Sequence, residues 1–434
     1  MRNDMQSARR LGIGRLMAAS AVITAIVALA PVGARAATPG TLDSSFGSAG
    51  AASLGPNTRL FATAVQSNGA VVAAGESGAG TAARLLVARF TPAGALDSSF
   101  GTGGLANGPA VAGAPGSLAR AVAIQPDGKI VVVGTATNVT GAARDGLLVE
   151  RLNANGSPDT GFGSGGVVSL LSGSHGDGYG VAIQPNGDIV ASGAASPAAV
   201  PYVAVVRLRA NGAPDSSFGS GGVDLLDLGA YSIAQAVALQ ANGDIALVGS
   251  QSPGLQATNA LIARLSPSGA LDASFAGTGA ATLPDPAGGA YASFNAVAVE
   301  SNGDIVAAGS ASGSGETADA LVVRYTAAGG QDSSFGKGGV VLAPSARQWL
   351  EQGTVVPGAD AIAIAGNGNI VVAGQSANSV LTYGTVWAFN AGGGLDPSFG
   401  SGGAAVFQDS SGQNSEFAGV AVSPADGNLV AAGD

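Results

Sequence analysis

The sequence has no cysteine. Disulfides, thiolate metal sites and cysteine nucleophiles are therefore all excluded. Charged residues are scarce, 11% of 434 positions, and aromatics scarcer still at 5%. A core built from such a chain has to be filled largely by small aliphatic side chains, so its sheets must pack closely. Histidine occurs once, as His175 in the glycine-rich SGSHGDGYG segment. Asp177 is near, but no serine nucleophile can be argued to reach it, and His175 reads as a solvated loop residue. Basic residues are outnumbered, 18 against 28 acidic, which disfavours phosphate backbones and argues against nucleic acid as a partner. Outside the N-terminus no apolar run is long enough to cross a membrane.

That N-terminus has the form of a secretory signal peptide. Arg2, Arg9, Arg10 and Arg15 precede an apolar run from Leu16 to Ala30, and Ala34-Arg35-Ala36 follows as a small-residue cleavage site. At 15 residues the run is short for a span of about 20. The expectation is a leader over 1–36 and one domain over 37–434. The mature chain then keeps 13 basic and 27 acidic groups, a net charge near −14. Its expected location is outside the cytoplasm: secreted, periplasmic or at the cell surface.

What the chain has in abundance is repetition. LDSSFG at 42–47 and 96–101 recurs as PDTGFG at 158–163, PDSSFG at 214–219, LDASFA at 271–276, QDSSFG at 331–336 and LDPSFG at 395–400. Each copy also has an Asn-Gly or Asp-Gly pair: Asn68-Gly69, Asp127-Gly128, Asn186-Gly187, Asn242-Gly243, Asn302-Gly303, Asn367-Gly368 and Asp426-Gly427. Such pairs between two short apolar runs predict type I′ hairpins. Six residues after each turn glycine stands another glycine (Gly75, Gly134, Gly193, Gly249, Gly309, Gly374, Gly433). A third strand follows and ends in Arg plus a large side chain. Arg89, Arg151, Arg207, Arg264 and Arg324 each lie eight residues before the next motif Asp. A fourth short strand comes after the motif. A lone four-stranded sheet cannot bury both faces, whereas a closed ring of such sheets does. The expected fold is all-β, a seven-bladed β-propeller of four-stranded antiparallel blades.

The stretches AVAIQPDGKIVVVG (121–134) and RLNANGSPDTGFGSGGV (151–167) resemble the delta-60 repeat of secreted bacterial proteins. The likeness runs over about 42–434. It implies propeller blades similar in pattern to the NHL type, and it brings no established activity and no catalytic residues. Two departures stand out: Ala388 replaces the expected Arg in the sixth copy, and the seventh copy stops at Asp434 before a third strand. The expectation is that residues 50–54 close the ring directly against 418–433, leaving the last blade three-stranded; a truncated reading frame would leave the same gap.

Most motif residues read as construction. The motif Phe is expected to wedge between blades, and the Arg–Asp pair to tie the third strand to the following turn. The turn aspartates have no EF-hand spacing, and GSGGV and GKGGV are not phosphate loops. No catalytic residue, cofactor or metal site is assigned. Function is instead sought where the copies differ. The spacing from turn glycine to the next glycine and from Arg to Asp is constant, while the other two connections vary in length. In an antiparallel blade, alternate connections share a face, so the variable loops gather on one side, where recognition is expected. That face carries His175, Tyr179, Tyr231, Tyr291, Arg347, Trp349 and Glu351, with Tyr202 and Tyr383 from the second loop set. The expected role is a binding scaffold for a glycan, peptide or surface partner. An extracellular hydrolase or lyase on the same face, and a purely structural surface protein, remain as alternatives.

Overall fold

The computed structural model describes residues 25–29, 38–78, 83–108, 114, 116–137, 146–171, 175–197, 201–228, 231–254, 257–312, 318–343, 358–377, 381–408 and 414–434. These residues form seven sheets of four antiparallel strands, and no helix. Blade 1 runs outward from Thr58–Val65 through Val71–Ser77 and Arg84–Phe90 to Leu105–Asn107. Blades 2 to 6 repeat that order from Gly116, Asp177, Tyr231, Ala292 and Gly358. The first strand of each blade touches the first strands of both neighbours, all the way round, so these are the inner strands of a closed ring.

Seven apolar clusters lie one at each junction between blades. Valine, alanine and isoleucine from second and third strands dominate them, which is how a chain poor in aromatics fills its core. The largest wedges are the motif phenylalanines: Phe100, Phe162, Phe218, Phe275, Phe335 and Phe399 are fully buried and Phe46 nearly so. In blades 1 to 5 each ring lies under the Arg guanidinium of its own blade, 4.5–4.8 Å from the centroid. The same Arg donates Nε to the motif Asp at 2.8–2.9 Å. It also donates to a backbone carbonyl of the next blade: Ala154, Ala210, Pro267, Ala327 or Ala391. One residue thus joins strand, turn and neighbour. The Ser217 backbone N–H first, then its hydroxyl and Arg207, hold Asp215 down at about 2. That ionic tie therefore survives until the pH falls to that region. Seven backbone hydrogen bonds of 2.7–3.2 Å, from the Gly47 N–H to the Ala93 carbonyl round to the Gly400 N–H to the Pro39 carbonyl, add one link at each junction.

Two blades lack the Arg. Ala388 takes its place in blade 6 and Ala28 in blade 7. In both, the residue after the turn glycine is asparagine, and its amide supplies the missing donor: Asn369 Nδ2 to Asp396 at 2.8 Å, Asn428 Nδ2 to Asp43 at 3.3 Å. Asn369→Ala is expected to lower stability by about 1–2 kcal/mol, the scale of a hydrogen bond to a carboxylate. Asp188→Ala, at the same position in blade 3, removes only a bond to Asn186 and should stay within about 0.5 kcal/mol. Urea denaturation of the pair checks the difference.

Two expectations are corrected. The hairpins are not type I′. Only the glycine of each pair has positive φ, 77–90°, and its Asn or Asp partner does not. In six blades the glycine N–H closes a turn onto the residue three before it, as Gly69 does onto the Gln66 carbonyl, which makes a type I turn followed by a left-handed glycine. Asn and Asp recur because their side-chain oxygen accepts the backbone N–H two residues on, as Asn68 does from Ala70 at 3.0 Å.

The second correction concerns closure. Blade 7 has four strands, in the order Phe417–Val422, Leu429–Gly433, Ala25–Leu29, Ala51–Ser53. Residues 51–53 pair with 25–27 and not with the C-terminal hairpin. The strand from the apolar run of the N-terminus occupies the gap, because its AIVAL pattern is that of a third strand. Ile26 and Val27 are fully buried, and Ala28 and Leu29 nearly so. The expected cleavage point after Ala36 thus falls between the third strand and its outer neighbour.

Candidate functional site

Each inner strand carries one irregularity. The pairing with the second strand slips by one residue between Leu60 and Ala62, Ala119 and Ala121, Gly178 and Gly180, Ala234 and Ala236, Phe294 and Ala296, Ala359 and Ala361, and Phe417 and Gly419. These are β-bulges, and the constant second glycine of the repeat is their cause. A Cβ on Gly134 would lie 1.9 Å from the Leu118 carbonyl oxygen, and the other six meet the same obstruction at 1.7–2.0 Å. Only glycine lets the bulged strand press in so closely.

The extra residue in each bulge is half-buried and different in every blade: Phe61, Arg120, Tyr179, Gln235, Asn295, Asp360 and Ala418. All lie on inner strands, each four residues before the strand ends at its hairpin, so together they form one collar round the axis of the ring. Neighbours in the collar interact. The Arg120 guanidinium sits 5.2 Å from the Tyr179 ring centroid. Asn295 Nδ2 donates to Asp360 at 3.1 Å and to the Ala359 carbonyl at 3.2 Å. Between blades 7 and 1, Arg59 lies 5.5 Å from the Phe61 ring and pairs with Asp434 at 3.1 Å and Glu76 at 3.7 Å.

The collar has two sectors. Blades 1 to 3 present aromatic faces and a cation; blades 4 to 6 present two amides and a carboxylate. Among the described residues the buried Arg120 Nε has no hydrogen-bond partner, so a cationic donor is unsatisfied there. Burial pushes the Glu76 carboxyl upward, against the pull of Arg59 and Arg120. Burial also raises the Tyr179 phenol, helped by the Asp177 charge, and raises Tyr231 for the same two reasons. Asp177 in turn accepts from Thr135 Oγ1 at 2.9 Å.

The residues expected from the sequence are distributed unevenly around this collar. Tyr179 is a member of it, and Tyr231, exposed at the start of the blade 4 inner strand, is coupled to it through Asp177. His175 is exposed two residues before Asp177, in the left-handed region at φ 47°. Tyr291 is exposed but tied to Ser293 by its hydroxyl at 3.0 Å, on the blade 5 side. Tyr202 is half-buried at the start of the blade 3 third strand. Tyr383 is buried in the third strand of blade 6, 7% exposed. Arg347, Trp349 and Glu351 lie outside the described residues. The collar residues missed from the sequence are Phe61, Arg120, Gln235, Asn295 and Asp360. Their signal was available: each stands fourteen residues before the constant glycine.

Five stretches of the chain, 66–100, 125–162, 184–218, 240–275 and 300–335, match the family model described as domain of unknown function (DUF5122) beta-propeller. No curated protein matches the chain. Among solved structures it is similar to polysaccharide lyase Uly1, at 12% identity and a TM-score of 0.41, covering 86% of this chain and 89% of that one. It is also similar to Chaetomium thermophilum Sqt1 bound to the N-terminus of ribosomal protein L10, at 12% identity and a TM-score of 0.44, covering 87% and 95%.

Proposed function

We propose that this chain, a β-propeller repeat protein, is an exported binding module that takes a glycan at the collar on its variable-loop face. The observation that carries the reading is the contrast between positions. Structural positions repeat from blade to blade, whereas the seven bulged residues, held at equivalent places round one opening, are all different. Repetition serves the ring; difference at a shared opening serves a ligand without sevenfold symmetry. The side-chain types suit a sugar. Tyr179 and Phe61 offer flat apolar faces, Gln235 and Asn295 offer paired donors and acceptors for hydroxyls, and Arg120 offers an unsatisfied donor for a hydroxyl or a uronate carboxylate.

Binding is favoured over catalysis. The Tyr179 phenol is shifted away from neutrality rather than toward it, the wrong direction for a general base. The arginine-led apolar N-terminus and the delta-60 likeness support export. Mass spectrometry of protein recovered outside the cells should find a chain beginning at Ala37; a chain retaining residues 1–36 there would end that part of the reading.

The test of the site is a titration of the intact chain against neutral and uronic-acid oligosaccharides, by calorimetry. Arg120→Ala and Tyr179→Ala are each expected to weaken binding about 10-fold or more, the loss of roughly 1.4 kcal/mol or above. Tyr383→Phe should leave it unchanged. Oligosaccharide binding that ignores both collar substitutions, or uptake of extended peptides alone, would overturn the proposal.

A further inference from the structure

The third strand of blade 7 differs from those of blades 1 to 5 in what holds it. Leu29 pairs with Leu429 and Ala28 with Val430, the places that Phe90 and Arg89 take against Val71 and Val72 in blade 1. The backbone pattern is identical there: the Ala28 N–H donates to the Gly50 carbonyl and the Asp43 N–H to the Ala28 carbonyl, as the Arg89 N–H donates to Gly104 and the Asp97 N–H to Arg89 in blade 1. The side chains match at one of the two places. Leu29 matches Leu152, Leu208 and Leu265 of blades 2 to 4, where blades 1, 5 and 6 have Phe90, Tyr325 and Phe389, whereas Ala28, like Ala388 in blade 6, offers no guanidinium to the motif Asp and Phe. A cavity of ≈ 470 Å³ lies beside it, lined by Val27, Leu29, Leu42, Phe407 and Phe417 among others. The outer part of blade 7 is secured independently of this strand: the Gly400 N–H to the Pro39 carbonyl and the Gly47 N–H to the Ala93 carbonyl bind it to both neighbouring blades, and Asn428 to Asp43 binds it to the hairpin.

We propose that the position of Ala25–Leu29 is an exchangeable strand slot, and that its preferred occupant is an extended strand of a partner protein ending in small-Arg-aromatic. Such a strand pairs with Leu429–Gly433 on one edge and Ala51–Ser53 on the other, an insertion form of strand addition. Its Arg reaches Asp43 and stacks on Phe46, as in blades 1 to 5, and its aromatic ring fills the cavity that Leu29 leaves. The resident strand lacks the first of these contacts, and it belongs to the segment that a signal peptidase is expected to remove. The slot's preference does not itself depend on that processing, nor on the glycan reading of the opposite mouth.

The experiment uses the full chain with a site-specific protease sequence in place of residues 31–36, cut after folding. Labelled peptides spanning residues 24–30 are then added, one native and one carrying Ala28→Arg and Leu29→Phe. The altered peptide is expected to replace the resident fragment at a concentration at least 10-fold lower than the native peptide, and Asp43→Asn should abolish that preference. Uncut chain carrying Ala28→Arg and Leu29→Phe should melt at a higher temperature than the parent. Equal exchange by both peptides, no exchange by either, self-association of the cut protein without peptide uptake, or an unchanged melting temperature would overturn the proposal.

Discussion

Phe218→Ala is expected to destabilise the protein by about 3–5 kcal/mol, the range for emptying a buried aromatic site. The ring is fully buried between blades 3 and 4. Its neighbours cannot move in to fill the void. On one side lies Gly269, whose missing side chain is what admits the ring: a Cβ there would stand 3.0 Å from Phe218 Cε2. On the other lies the Arg207 guanidinium, 4.7 Å from the centroid and fixed by Asp215 and by the Pro267 carbonyl. The substitution also removes the cation–π contact, about 0.5–2 kcal/mol. The phenylalanine is on the face of fixed connections, so sugar binding at the opposite mouth should persist at temperatures where the variant is folded. Guanidinium denaturation measures the loss; a change below about 1 kcal/mol would show that the wedge is not what holds the junction.

How much of this was readable without coordinates follows from what repeats. Strand order, blade number, the phenylalanine wedge and the Arg–Asp tie all recur at fixed spacing, and each came out as the residues implied. The turn type did not, because Asn-Gly suits two geometries and only the backbone distinguishes them. The closing strand did not either. Ala25–Leu29 satisfies two descriptions at once, the apolar centre of a leader and the apolar third strand of a blade, and short apolar runs carry no further label. The collar escaped for the opposite reason. Its members share no residue type, so a search for common chemistry passes over them. The constant glycine marks the bulge opposite, but the reason for a glycine is visible only once the Leu118 carbonyl is seen pressed against Gly134. Tyr179 stands out in the sequence because it lies in a variable loop, whereas residue type alone does not single out Arg120 beside it.

The second large effect concerns a residue that breaks the repeat inside the core. Glu150 lies on the face of its strand that Leu148 and Leu152 share, between blades 1 and 2. The other blades place Ala88, Val206, Ala263, Val323, Trp387 and Val27 there. Glu150 is 1% exposed, its Oε1 has no hydrogen-bond partner among the described residues, and its Oε2 lies close over Gly108 with Leu85 beside it. Burial alone pushes the carboxyl up to about 8. The unfolded chain would ionise it near the ordinary value of about 4.3. Between those two values the unfolded state binds fewer protons than the native state, so stability falls as pH rises through that window and levels off above about 8. Glu150→Val, which copies blades 3 and 5, removes the penalty. Its gain should be about 0.5 kcal/mol at pH 4.5, roughly 3.5 kcal/mol by pH 7, and on the order of 5 kcal/mol at pH 9. Urea denaturation of both proteins across that range reads the effect directly. Stability curves that run parallel from pH 4.5 to 9 would mean that the carboxylate finds a partner when it ionises, and that blades 1 and 2 tolerate its charge.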